Sequence, residues 1–366
     1  MQGAQIIVLA TPIFLLLIGV ELLVGIRRGR NTYRLNDALN SIGLGVISQI
    51  VGVFAKLMTL GIYTLVFTHL APWPLPADSL WVWAAGLLLY DLLYYWKHRA
   101  GHRCALFWAA HVVHHQSEDY NLSTALRQTG TDFIAGWVFY LPMALLGFPP
   151  LVFAVVALVD LLYQYWVHTQ QIGRLGWFDR WFCSPSNHRV HHAVNDRYAD
   201  RNYGGILIVW DRLFGSFQEE DDAEPCVYGT RSPLRSGNPL RANLQVYADL
   251  ARDSWHARRW ADKLRVWFRP PGWRPADVAS RFPKPAFALE CVERFDPPVG
   301  RGAQLLAALL FILLLGATTA FLWTAHTLSL GQQLAAAAAI VGGLWGVGVL
   351  CESPDSPRLM ARAHRL

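Results

Sequence analysis

Residues 91–115 read DLLYYWKHRAGHRCALFWAAHVVHH and carry five histidines. His98 and His102 are spaced HxxxH; His111, His114 and His115 are spaced HxxHH. On a helix, residues three and four apart are neighbours on one face. One turn lifts the second ring about 6 Å along the axis, a spacing at which imidazoles can bind one metal or two adjacent ones. The run opens on apolar residues with one acid, Asp91, among them. The expected element is a helix that leaves an apolar environment and presents its histidines at the polar end.

The pattern recurs further along. DLLYQYWVH, from Asp160 to His168, repeats DLLYYWKH with one residue inserted, and a second HxxHH follows at His188, His191 and His192. Two halves of the chain therefore offer comparable sets of imidazoles. The remaining histidines, His69, His256, His326 and His364, are isolated and read as ordinary side chains. Asp91 and Asp160 are acids inside apolar segments, which is costly and usually functional. A carboxylate that steadies a ligand imidazole is the role expected of them; for Asp160, lining a wet cavity is the equal alternative.

Nine clustered imidazoles exceed what one tetrahedral zinc needs, since catalytic zinc sites use three protein ligands. Nitrogen ligands suit iron, copper, nickel and zinc alike, and no HExxH occurs. Two metals with four or five histidines each, at the lip of an apolar bundle, fit oxygen activation against a lipid chain. Iron is preferred on that mechanism.

The rest of the chain supplies the apolar bundle. Of 366 residues 53% are hydrophobic, and the mean hydropathy is +0.24, too apolar for an average soluble domain. The apolar residues form blocks at 6–26, 43–70, 80–96, 133–166, 305–323 and 334–350. The first is long enough to cross a core of about 30 Å. Arg27, Arg28 and Arg30 follow it without a small-x-small cleavage site, so it reads as a retained span and not as a signal peptide. By the positive-inside rule the basic residues after it, those at Lys97, Arg99 and Arg103, and those at Arg358, Arg362 and Arg365 lie in the cytoplasm. An even number of crossings then separates His98 from His168. The block at 133–166, broken at Gly147-Phe148-Pro149-Pro150, supplies them as two helices, with a shallow re-entrant pair as the alternative.

The expected fold is all-α: a polytopic membrane helical bundle with a cytoplasmic, histidine-rich helical cap. Residues 1–79 would be N-terminal transmembrane helices, 80–275 the metal domain, 276–302 a cytoplasmic linker, and 303–366 a transmembrane hairpin with a basic tail. Trp96, Trp166, Trp177 and Trp181 are candidate interface anchors. The five scattered cysteines suggest neither disulfides nor a thiolate site. The net charge of +6 sits beside the apolar blocks, which points to acidic lipid headgroups and not to nucleic acid.

With HxxxH, HxxHH and HxxHH in place, the chain resembles the fatty acid hydroxylase/sterol desaturase superfamily. The runs YYWKHRAGH, WAAHVVHHQSEDYNLSTALRQ, LLYQYWVHTQ, SPSNHRVHH, NYGGILIVWDRLFGSF and PPGWRP narrow the resemblance to the branch that cleaves glyceryl ethers, over residues 80–275. That resemblance implies an enzyme of two iron ions that uses O2 and tetrahydrobiopterin to hydroxylate the ether-bearing carbon of an alkylglycerol. The resulting hemiacetal falls apart into an aldehyde and glycerol. It implies that the nine histidines are the iron ligands. Glu118 would be an iron ligand, a proton relay or a pterin contact, flanked by Asp119, Tyr120 and Asn121 on the pterin. Asp91 and Glu118 would share the catalytic roles. Two departures stand out: Asn187 occupies a position where the resemblance leads one to expect histidine, and no HPGG haem motif is present, so an electron donor, if needed, is a separate protein. The alternatives are acyl or sterol hydroxylation or desaturation on the same scaffold and, from another class, a metal transporter. The inner membrane of a bacterium or the endoplasmic reticulum of a eukaryote would be the location.

Overall fold

A computed structural model describes residues 3–352; Arg358, Arg362, His364 and Arg365 lie outside the described residues. The described chain is helical, with two isolated β-bridges and no strand. Two helices open it, α1 (Gly3–Arg27) and α2 (Leu35–Leu70). Next come α3 (Leu80–Arg103), α4 (Ala105–His115) and the short α5 (Leu122–Ala125), then α6 (Leu141–Leu145) and α7 (Pro150–Trp166). The polar part holds α8 (Phe178–Trp181), α9 (Pro185–His192), α10 (Val209–Leu213), α11 (Pro239–His256), α12 (Trp260–Phe268) and α13 (Ala276–Arg281), and a hairpin of α14 (Arg301–Thr324) and α15 (Leu330–Leu350) closes the chain.

Among the described residues, four helical segments are long and apolar enough to cross a membrane: Ile7–Arg27, Leu35–Ala55, Arg301–Thr327 and Leu330–Leu350. The molecule is an integral membrane protein. At about 1.5 Å per residue, the 36 residues of α2 extend well past a core of about 30 Å. Helices α2, α14 and α15 share one apolar core, with Leu39, Ile47, Phe311, Ile340 and Leu344 in it. The Ser329 hydroxyl and Gln332 side chain cap the start of α15 reciprocally.

The block at 133–166 differs from two helices going out and back. Its first half makes two 3-10 turns, Asp132–Ile134 and Gly136–Tyr140, and the five-residue α6. The Gly136–Leu145 stretch is too short to span. The chain then reverses at Gly147, where φ is +86° and a Cβ would stand 2.1 Å from the Trp73 carbonyl oxygen, so only glycine fits. The block at 80–96 lies in α3, whose inner face is polar: Tyr90, Asp91, Tyr95 and His98 are all buried within the protein. Helix α7 packs directly on α3 at Gly86, where a Cβ would meet Val152 at 2.9 Å.

Helix α1 buries few of its residues, as a lipid-facing span would, the exceptions being Glu21 and Gly25. This buried acid accepts the hydroxyls of Tyr33 and Thr169 and the Leu122 amide, tying α1 to the loops beside the histidines.

Candidate metal centre

Nine histidines converge from α3, α4, α9 and the residue just past α7. His98, His102, His111, His115 and His191 form one set; His114, His168, His188 and His192 form the other. Within each set the atoms able to bind a metal all lie within 4.8 Å of one another. In both HxxHH motifs the first and last rings stay together while the middle ring goes to the opposite set. The helix explains this: at 3.6 residues per turn, positions i and i+4 nearly coincide in direction, whereas i+3 points well to one side. His114 and His191 are therefore exchanged between the halves, and the two sets interlock.

The hydrogen bonds show that these rings fit a metal. The His114 Nδ1 lies 2.9 Å from the Arg127 carbonyl oxygen, and the His168 Nδ1 lies 2.7 Å from that of Gln164. A carbonyl only accepts, so each Nδ1 carries the ring's proton and each Nε2 is a bare lone pair. Those two Nε2 atoms face each other at 3.0 Å, an arrangement that repels unless a cation lies beside both. In the other set, His191 donates Nδ1–H to the Arg201 carbonyl, and its buried Nε2, like that of His102, has no partner. Burial, reinforced by neighbouring imidazoles, holds His115, His188, His191 and His192 well below the usual histidine range, and burial lowers His114 to about 4. All are neutral at pH 7, the form that ligates.

What aims the rings is mostly backbone. A loop from Asp200 to Gly204 serves three members of the five-histidine set. The Asp200 carboxylate lies 3.4 Å from the His102 Nδ1, the Arg201 carbonyl takes His191, and the Tyr203 carbonyl takes His98 at 2.8 Å. The loop achieves this with two non-glycine residues in the left-handed region, Asp200 at φ +59° and Asn202 at φ +57°, conformations that survive only when surroundings enforce them. The enforcement is visible. The Asn202 amide donates to the Asn187 and Gln218 carbonyls, and the buried Asp211 accepts the Tyr203 and Gly204 amides at 2.7 Å each, with the Ser216 hydroxyl as well. None of Asp200, Asn202 and Asp211 stood out as a site residue in the sequence; the signal was the NYGGILIVWDRLFGSF run, which holds Asn202 and Asp211 and begins two residues after Asp200. Asn187, where histidine was expected, donates to the Asp179 and Phe182 carbonyls and fixes the entry to α9.

The other singled-out residues lie around this centre without joining either set. Asp91 touches no imidazole: its carboxylate accepts the Ile206 and Leu207 amides and the Trp210 indole, which docks the glycine loop on α3. Gly205 passes between Asp91 and Asp160, where a Cβ would meet their oxygens at 3.0 and 2.6 Å. Glu118 accepts the Phe295 amide and pairs with Arg34 at 3.8 Å. Asp119 binds Arg34 at 2.9 Å. Burial raises the carboxyl of Glu118, and burial, with Asp37 nearby, raises Asp119 to about 6. Tyr120 donates its hydroxyl to the Val167 carbonyl and stacks on Tyr228, and Asn121 caps α5 and donates to the Thr32 carbonyl. The stretch from Glu118 to Asn121 thus spends its polar groups inside the fold. Arg127, fully buried at the end of the same run, donates to the Val113 carbonyl and to Asn40 while its own carbonyl aims His114.

A cavity of about 520 Å³ opens on the histidines. Its floor includes His98 and His111 from one set and His114 and His168 from the other. Its walls are largely apolar and come from the lipid-length helices: Val8 and Phe14 of α1, Val46 of α2, Leu315 and Leu322 of α14, together with Leu161 of α7. Both metal positions therefore face one space that is continuous with the spans.

Residues 83–216, which contain all nine histidines, match the family model described as fatty acid hydroxylase. An alkylglycerol monooxygenase of Xenopus tropicalis is 36% identical over 84% of this chain and 68% of its own length. The chain belongs to the fatty acid hydroxylase family. Human alkylglycerol monooxygenase is 41% identical over 73% of this chain, which spans 59% of the human protein's length. An ornithine lipid hydroxylase of Rhizobium tropici is 31% identical over 36% of this chain and 40% of its own. No solved structure matches the chain. The family match covers α3 to α10, whereas α1, α2 and α14, which wall the cavity, lie outside it.

Proposed function

We propose that this protein is a membrane di-iron monooxygenase that cleaves the ether bond of alkylglycerols. The observation that carries the reading is the cavity: one apolar space, walled by membrane-length helices, with both histidine sets at its floor. A lipid chain lying there brings a single carbon to the metals while its tail stays between α1, α2 and α14. Iron bound by these histidines supplies the reduction of O2 and the oxidation of an unactivated C–H bond. The protein's own part is orientation and exclusion of water. The Arg127, Gln164, Arg201 and Tyr203 carbonyls fix the rings, and the apolar walls keep the space dry.

One oxygen atom enters the ether-bearing carbon and the other leaves as water, with two electrons drawn from tetrahydrobiopterin, the reductant this reading implies. The hemiacetal then collapses to a fatty aldehyde and glycerol. The similarity to alkylglycerol monooxygenases supports that substrate, and the basic segments after α1 and α3 support a centre on the cytoplasmic side. A metal transporter is the weaker reading, because the histidines lie at the ends of α3 and α4 and in α9, not at mid-span. Acyl hydroxylation remains the second reading, supported by the ornithine lipid hydroxylase relative.

Product analysis separates the two. Detergent-solubilised protein given O2, tetrahydrobiopterin and an alkylglycerol is expected to release a fatty aldehyde. A hydroxylated acyl chain with glyceryl ethers untouched would move the protein to the second reading, and full turnover on a ferredoxin or cytochrome donor alone would reject the pterin.

A further inference from the structure

Two helices of the polar part leave an apolar stripe uncovered. One face of α11 packs on α4, with Ala242 and Leu250 buried against Val113 and Ala109. Its outer face carries Leu240, Leu244, Ala248, Ala251 and Trp255, all exposed. Steps of three and four residues align them on one side of the helix. Helix α12 repeats the arrangement. Its Val266 is buried in the same cluster, whereas Trp260, Leu264 and Phe268, four residues apart, are exposed. Lys263 ties the two helices together: its ammonium donates to the Ser254 and Trp255 carbonyls and lies 5.7 Å from the Trp260 ring centre. Trp255 and Trp260 are each 81% exposed. An open apolar surface rimmed by polar residues marks an interaction site.

Charge identifies the occupant. From 239 to 284 the chain has ten lysines and arginines against four acids, an excess equal to the net +6 of the whole chain. Each of the four acids is already paired: Asp249 with Lys284, Asp253 with Arg274, Asp262 with Arg265 and Asp277 with Arg281. The side chains of Arg241, Arg258 and Arg259 are exposed, adjoin the stripes in sequence and have no acidic partner among the described residues. Free cations beside exposed Trp, Leu and Phe are the composition of a helix that lies in a membrane interface and meets acidic headgroups. The position agrees. Gly237, just before α11, touches the last turn of α15, where a Cβ on Gly348 would stand 2.4 Å from the Gly237 carbonyl oxygen. The 21 residues of α15 rise about 31 Å, close to the thickness of a hydrocarbon core. On a bilayer crossed by α15, α11 therefore begins at the membrane surface.

We propose that α11 and α12 form a foot on the bilayer that α15 crosses: the two stripes enter the headgroup region, and Arg241, Arg258 and Arg259 pair with acidic phospholipids. The foot lies outside residues 83–216, the part matched by the family model. Its inner side reaches the cavity, since Tyr247 of α11 lines it and donates its hydroxyl to Thr131 at 3.2 Å. The charge of the leaflet thereby bears on a helix that walls the cavity.

The test uses the full-length protein in nanodiscs of phosphatidylcholine, alone or with about 30% phosphatidylserine. Part of the lipid is brominated either just below the headgroup or near the chain ends. Subtracting the emission of the Trp255→Phe/Trp260→Phe variant from that of the native protein isolates these two tryptophans. In acidic discs, shallow bromines are expected to quench them at least about twofold and deep ones little, as befits a helix lying in the interface. In neutral discs, or with Arg258→Glu/Arg259→Glu in acidic ones, the shallow quenching is expected to fall to about half or less. Should the charge-reversed variant not fold, native protein in about 1 M salt, where charges are screened beyond about 3 Å, gives the same contrast. Tryptophans unquenched in every disc would overturn the proposal and leave the stripes to a soluble protein. Shielding from iodide only in discs that hold two copies would overturn it in favour of self-association. Equal shallow quenching in neutral and acidic discs, unchanged by substitution or salt, would overturn the pairing with acidic lipid.

Discussion

At the scale of single residues, the centre depends on the groups that aim the imidazoles as much as on the imidazoles. His115→Ala or His192→Ala removes a ring from one set, and each is expected to lower bound metal and cut turnover by at least about a hundredfold, in line with the loss of a metal ligand. His326→Ala, at an exposed position far along the chain, is expected to leave both unchanged. Metal analysis and turnover on the same preparations check this; parallel behaviour of the variants would show that the clusters are not the site. Asp211→Asn is the more selective probe. It replaces an acceptor with a donor opposite the Tyr203 or Gly204 amide and so releases the Asp200–Gly204 loop. Metal affinity is expected to fall about 10–100-fold at the five-histidine set alone, read as loss of one ion in a competition titration. The gathering of nine histidines was legible in sequence because spacing on a helix fixes direction, whereas the exchange of His114 and His191 between the halves was not called. The aiming groups were not legible, because backbone carbonyls leave no mark in a sequence, and a carboxylate such as Asp91 looks the same whether it grips an imidazole or a loop.

At the scale of elements, α1 contributes a wall of the cavity although little of it is buried, and Glu21 holds it together with the Phe14–Tyr165 contact. Glu21→Leu removes an acceptor shared by Tyr33, Thr169 and Leu122. It is expected to lower stability by on the order of 3 kcal/mol, since bonds to a charged group contribute about 1.5–3 kcal/mol each and the leucine recovers part of that. Denaturant unfolding measures the change, and an unaltered midpoint would show that Glu21 does not hold α1. Gly86→Val tests the opposite wall. With Val152 already at 2.9 Å from a Cβ there, α3 and α7 must part, at a cost of about 1–3 kcal/mol and with loss of the register between His98 and His168. The apolar blocks that became long helices were legible from hydropathy. The block at 133–166 misled because hydropathy does not distinguish lipid from protein as the apolar partner: the turn at Gly147 depends on the Trp73 carbonyl, which belongs to a distant loop.

At the scale of the whole molecule, metal and fold are coupled. Without cations the site places bare ring nitrogens about 3 Å apart, as with the Nε2 atoms of His114 and His168 at 3.0 Å, inside a buried space. Chelation is therefore expected to lower the thermal midpoint markedly, and re-addition of iron to restore it, because metal bound only by the folded state adds its binding energy to folding. The reading as a whole stands on two irons beneath a lipid cavity, and elemental analysis of catalytically active protein tests that most directly. About two iron atoms per chain, as two-metal chemistry requires, is the expected result; active protein carrying stoichiometric zinc and no iron would contradict it.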